Sequence, residues 1–191
     1  MAIVAARPPR SSWQVYAVQF AHHTMRRSEF FPRHHDYGEP DGDLDLAYYL
    51  WVIRGPDTTI VVDTGFDPEV GHRRGRHVLV DPIVALGGLG IDAATVATVI
   101  ITHAHFDHIG NLPRFSAAQV IMSRREFDFW QSPFAQRGHF SGPSEPNEVA
   151  HLRRLQAQGK ITLIDDFAEL FSPDFRRCEA HDSADMGVDV R

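Results

Sequence analysis

Apolar residues along this chain fall into short clusters with two different periods. Trp13 to Phe20 and Leu46 to Ile53 are apolar and aromatic, and Thr58 to Val62 is a shorter β-branched run, so the three read as paired strands of a meander. Val96 to Ile101 is also short and β-branched, the pattern of a strand buried on both faces. Ala118 to Met122 and Ile161 to Ile164 read as further strands. Helical spacing shows elsewhere. Arg125 to Trp130 starts a helix whose aromatic side chains suit the core, and Asn147 opens the clearest helix, with Val149, Leu152 and Leu155 on one face and Gly159 near its end. Asp92 is placed to cap a short helix over Ala93 to Val96.

Polar intervals separate these elements. The stretch between Phe20 and Leu46 holds His22, His23, His34 and His35, then Asp41, Gly42 and Asp43, and reads as a solvated or substrate-facing loop. Its two histidine pairs have no carboxylate or third imidazole at ligand spacing. Phe66 to Gly90 reads as a long connection carrying Arg73, Arg74 and Arg76, a charge cluster of the solvated kind. Pro133 to Pro146 is punctuated by Pro and Gly as a loop is. Beyond the last strand, Glu169 to Phe175 reads as a turn region and Arg176 to Glu179 as a strand leading into His181. No repeat or low-complexity tract interrupts this order.

Composition narrows the class. At 191 residues, 43% hydrophobic and 23% charged, the chain suits one globular domain or a large part of one. Its three Trp and thirteen Phe argue against disorder. A net charge of -6 gives no encouragement to nucleic-acid or acidic-membrane partners, which want a basic face. Met1 to Arg10 has too short an apolar stretch for a signal peptide, and no run approaches the ~20 apolar residues of a membrane-spanning helix. The single cysteine, Cys178, permits no internal disulfide and reads as a small buried hydrophobe in a reducing compartment. The expectation is a soluble cytoplasmic protein with no nucleic-acid or membrane partner. Oligomeric state is not legible.

The chemistry concentrates in Thr102-His103-Ala104-His105-Phe106-Asp107-His108-Ile109-Gly110, directly after the β-branched run. His103 and His105 are two apart, so in extended backbone at a strand end their side chains point the same way and can share one cation. Asp107 and His108 turn toward a second position. Imidazole and carboxylate suit Zn²⁺, and Fe²⁺, Mn²⁺ or Co²⁺ accept the same donors. Gly110 would relieve the backbone before the next element.

The run resembles the signature loop of the metallo-β-lactamase superfamily, His-x-His-x-Asp-His, which follows an Asp-Thr-Gly turn about forty residues earlier; here that turn is Asp63-Thr64-Gly65, at the end of Thr59 to Val62. The resemblance implies an α+β fold, the metallo-β-lactamase-like αββα sandwich. It implies metal ligation by His103, His105, Asp107 and His108, with Asp63 as the group that orients a ligand imidazole from behind. Ala180-His181-Asp182 falls where the family carries its third histidine ligand, so His181 would complete a three-histidine site. Only ten residues follow His181, whereas the family continues through strands that supply a bridging Asp and a last His. The expectation is therefore one domain over residues 1–191 that lacks the C-terminal strands and helices, with one or two Zn²⁺ ions.

Within the superfamily the chain looks most like the N-acyl homoserine lactonase group, through His-Ala-His-Phe-Asp-His-Ile-Gly-Asn and the stretch from Gly65-Phe66-Asp67-Pro68 through Leu89-Gly90-Ile91-Asp92. That resemblance implies a zinc hydrolase that opens a lactone or similar small-molecule ester with metal-activated water, Asp107 acting as the catalytic carboxylate. Phe106, Trp130, Phe134 and Phe140 are candidate pocket walls. Two alternatives stay open: a glyoxalase II-like thioesterase, and a truncated, non-catalytic metal-binding remnant.

Overall fold

The structure is a computed structural model and describes residues 13–165. A seven-stranded mixed sheet forms its frame. The strands are β1 (Gln14–Arg26), β2 (Asp43–Arg54), β3 (Thr59–Val62), β4 (His77–Val78), β5 (Thr98–Ile101), β6 (Gln119–Ser123) and β7 (Ile161–Ile164), in the spatial order β4-β1-β2-β3-β5-β6-β7. β1, β2 and β3 form the antiparallel meander that their alternation predicts. From β3 through β5 and β6 to β7 every pairing is parallel, which requires the intervening chain to cross over the sheet as helix or loop.

The first two strands run further than their apolar cores suggest. His22 and His23 lie within β1, not in a loop, because β1 continues to Arg26 and β2 already begins at Asp43. A bulge explains why the pattern conceals this: the register shifts between Gln19 and Ala21, so Phe20 and Ala21 are both fully buried and the two-residue period breaks there. Polar pairs carry the remaining ladder. Thr24 donates to Asp45 at 2.6 Å, and Arg26 pairs with Asp43 at 3.1 Å and with Asp41.

Among the described residues six α-helices accompany the sheet: α1 (Arg27–Phe30), α2 (Pro68–Arg73), α3 (Pro82–Gly88), α4 (Phe106–Ile109), α5 (Arg124–Gln131) and α6 (Pro146–Ala157). Two of them, with β4, occupy the segment read as a bare connection between Phe66 and Gly90. Each opens on Asp-Pro: Asp67 and Asp81 accept from the amides of Glu69 and Ile83, and proline fills the first helical position, where no amide is needed. The arginines there are not simply solvated. Arg73 and Arg74 both pair with Glu145 at 2.7 Å, and the Arg74 guanidinium lies 4.2 Å over the Phe106 ring. Asp92 caps a single 3-10 turn over Ala93–Thr95, and α6 buries Val149, Leu152 and Leu155 as its spacing predicts. The core runs from Phe20, Leu50 and Val52 through Phe66 and Val99 to Met122 and Leu152. Among the described residues, no helix is long and apolar enough to cross a membrane.

Candidate metal centre

β3 and β5 are parallel neighbours, with Val62 opposite Ile100, so their C-terminal ends release two loops side by side at one edge of the sheet. One loop is Asp63-Thr64-Gly65, and the other is the histidine run. Backbone bonds lock them together: the Asp63 amide donates to Ile100 at 2.8 Å, the Thr64 amide to His108 at 2.7 Å and the Gly110 amide to Gly65 at 3.0 Å. The Thr64 hydroxyl also donates to the His108 carbonyl at 2.9 Å. Asn111 returns two bonds to Thr64, at 3.2 and 3.0 Å.

Two turn residues have unusual backbones. Gly65 has φ +68°, open to glycine at no cost, and Asp63 has φ +60°, among the described residues the one non-glycine at positive φ. That turn aims the buried Asp63 carboxylate across the gap between the loops. Its Oδ1 accepts from the Thr102 amide at 2.8 Å, and its Oδ2 accepts from the Thr102 hydroxyl and from His108 Nδ1, each at 2.8 Å. Gly110 has an ordinary helical φ of -61°, so relief of the backbone is not its role. A Cβ there would stand 2.8 Å from Phe66 Cα and 3.0 Å from the Gly65 carbonyl oxygen, so glycine is required for close approach.

The fold gathers the loop's imidazoles. The His103 ring centroid lies 4.4 Å from that of His105 and 3.8 Å from that of His108. Burial lowers the pKa of His103 and of His105, keeping both as neutral imidazoles, the form that binds metal. His108 is different. Burial opposes its charge, but hydrogen bonds to Asp107 and Asp63 and the charges of both carboxylates prevail and raise its pKa to about 9. Asp107, also penalised by burial, is held below the usual carboxylate range by the same His108 contact, at 3.3 Å.

Among the described residues, no three His, Cys, Asp or Glu side chains form a finished ligand set around one point. The His108–Asp107 pair is a physical reason: each partner faces the other instead of a shared centre. The donor chemistry nonetheless fits a borderline divalent cation, with two neutral imidazoles, a charged carboxylate and a third imidazole in contact. His181 and Cys178 lie outside the described residues.

A cavity of about 400 Å³ opens beside Asp107 and His108, walled by Phe30, Leu46, Tyr48 and Trp51. These are not the walls read from the sequence. Phe106 is buried, stacked on Phe66 at 5.5 Å, and Trp130 is buried edge-on to the His105 ring at 5.7 Å. Phe134 and Phe140 are exposed and do not line this cavity. The wall comes from β2, within the stretch Leu46 to Ile53 read as a strand, and from Phe30 of α1, a helix the sequence reading did not give. The pattern reading also missed Thr102, Glu126 and Ser144 as residues of the loop's frame; only Thr102, next to the motif, left a signal that was there to be used.

Comparison with known proteins assigns the family. The sequence model of the Metallo-beta-lactamase superfamily matches residues 45–145. The chain is 30% identical over 112 residues to N-acyl homoserine lactonase AttM of Azorhizobium caulinodans, covering 51% of this chain and 43% of that protein. It is 32% identical over 99 residues to Metallo-beta-lactamase domain-containing protein 1 of Xenopus laevis, covering 52% and 34%. It thus spans less than half the length of the curated relatives it matches. Among solved structures, AidC, a dizinc quorum-quenching lactonase, superposes with a TM-score of 0.59 at 19% identity, over 85% of this chain and 62% of that one. The chain belongs to the metallo-beta-lactamase superfamily.

Proposed function

We propose that this chain carries the metal-binding half of a zinc-dependent hydrolase that opens a lactone, an N-acyl homoserine lactone in particular. One observation carries the reading: Asp63 and Thr102 hold His108 and His103 at the sheet edge, where the His105 ring meets His103 and Asp107 meets His108, in a chain whose relatives include N-acyl homoserine lactonases. In this reading His103, His105 and His181 would hold one ion, and Asp107 and His108 a second. A bound Zn²⁺ supplies hydroxide at neutral pH and polarises the carbonyl. Asp107, which lines the cavity, would position the attacking water and carry its proton to the ring oxygen that leaves. Asp63 fixes His108 through Nδ1, and Nε2, which faces Asp107 at 3.3 Å, would have to turn from that carboxylate to a cation. Phe30, Leu46 and Tyr48 offer an apolar wall for an acyl tail. The lone cysteine supports a cytoplasmic setting.

The test pairs metal analysis with turnover. Purified chain loaded with Zn²⁺ is assayed against an N-acyl homoserine lactone and against a glutathione thioester, with metal content measured on the same sample. Lactone opening with bound zinc supports the proposal. Preference for the thioester would move the chain to a glyoxalase II-like role, and bound metal without turnover of either would leave a metal-binding domain with no hydrolase activity of its own.

A further inference from the structure

The residue between the two leading histidines is gripped from both sides. Ala104 is fully buried and lies past the end of β5, so neither of its backbone polar groups has a ladder partner. Buried backbone groups need partners from somewhere. Here they are side chains from distant elements. The Ala104 amide donates to Glu126 Oε1 of α5 at 2.8 Å, and the Ala104 carbonyl accepts from the hydroxyl of Ser144, itself 7% exposed, at 2.9 Å.

Each contact belongs to a different histidine. The Ala104 amide shares its rigid peptide plane with the His103 carbonyl, and the Ala104 carbonyl shares its plane with the His105 amide. Glu126 therefore fixes the plane attached to His103, and Ser144 fixes the plane attached to His105. A third contact supports the arrangement: the same Glu126 oxygen accepts from the Trp130 indole at 2.6 Å, and the Trp130 ring meets the His105 ring edge-on at 85°. Just beyond, the Phe106 amide donates to the Pro143 carbonyl at 2.9 Å, tying the loop again to the segment that carries Ser144.

We infer that Glu126 and Ser144 are positioning residues that set the relative orientation of His103 and His105 toward a divalent cation. The inference rests on the metal-binding reading above. Neither residue touches the metal; each acts through a peptide plane.

Co²⁺ is the probe, because its visible absorption reports ligand geometry separately from affinity. The full chain is titrated with Co²⁺ against a competing chelator as wild type, Glu126→Ala, Glu126→Gln, Glu126→Asp, Ser144→Ala and Ser144→Thr, with metal-free thermal unfolding measured for each. The alanine variants are expected to bind Co²⁺ about ten- to a hundredfold more weakly, with an altered absorption envelope. Gln, which keeps an oxygen to accept the Ala104 amide, and Thr, which keeps the hydroxyl, should restore the wild-type spectrum. Glu126→Asp keeps the charge and loses one methylene of reach toward the Ala104 amide and the Trp130 indole, so it should weaken Co²⁺ binding, with its metal-free unfolding temperature showing separately what the freed donors cost the fold. Wild-type affinity and spectrum in folded Glu126→Asp and Ser144→Ala would overturn the inference. Failure of the wild type itself to take up Co²⁺ would instead remove the metal-binding reading, and the positioning role with it.

Discussion

Asp63 does two jobs that substitution can separate. Its backbone sits at positive φ, which Asp and Asn tolerate and most other residues do not, and its carboxylate accepts from Thr102 and His108. Asp63→Asn should keep the turn and the Thr102 contact while losing the charge behind His108. The expected result is near-normal unfolding with a drop of about ten- to a hundredfold in metal affinity. Asp63→Ala strains the turn and strands the Thr102 amide as well, so it should also cost about 2 kcal/mol in denaturant unfolding. Equal stability of the two variants would count against this division. Gly110 makes a simpler case. An added Cβ meets backbone atoms of Phe66 and Gly65, which cannot swing aside as a side chain can. Gly110→Ala should therefore destabilise the chain by between about 1 and 3 kcal/mol, measured the same way.

At the scale of elements, the contact between α2 and α6 predicts a pH dependence. Glu148 on α6 is 7% exposed and has one oxygen without a partner. Burial raises its pKa to about 8, helped by the nearby charge of Glu145 and opposed by Arg74; Asp67 adds to the rise and Arg73 subtracts from it. The folded chain thus holds a proton that the unfolded chain releases near pH 4.5. Stability from this group is complete below about pH 4.5 and is lost as pH climbs through about 8. Glu148→Gln keeps the shape without the charge. It should unfold at a higher denaturant concentration than wild type at pH 8, by a margin on the order of 4 kcal/mol at most, and show almost no difference near pH 4.5. An unchanged difference across that range would refute the assignment. The sequence did show α6 as a helix with Val149, Leu152 and Leu155 inward, but Glu148 beside them looks like any solvated glutamate. It shares a cavity with Val70 and Arg73 of α2, a helix whose own existence was hidden in a Pro-, Gly- and Arg-rich stretch. The same limit applies to β1, whose bulge at Phe20 breaks the alternation that would have carried the strand on to Arg26.

For the molecule as a whole, legibility follows distance along the chain. The candidate ligands that the structure describes are contiguous, from His103 to His108, so the motif displays them whatever the fold does. Asp63 is forty residues away and was placed through the family resemblance, not by period or spacing. Glu126 and Ser144 reach Ala104 from 22 and 40 residues away, with nothing local to mark them, because only the parallel crossovers bring α5 and the loop before α6 to the histidines. A site assembled from so many parts is coupled to the whole fold, and that coupling can be measured. A cation that binds the folded chain and not the unfolded one must stabilise it, by about 2.7 kcal/mol at a hundred times its dissociation constant. For a domain of this size that corresponds to a rise of about 5 to 10 °C in unfolding temperature. Zn²⁺ and Co²⁺ should produce this rise. Mg²⁺ should not, because it demands hard oxygen ligands and the cluster offers mainly imidazole nitrogen. The rise should disappear in His103→Ala and His105→Ala, while His35→Ala, which removes an exposed imidazole outside the cluster, should retain it. An equal rise with Mg²⁺, or one that survives both substitutions in the cluster, would place the cation elsewhere on the molecule.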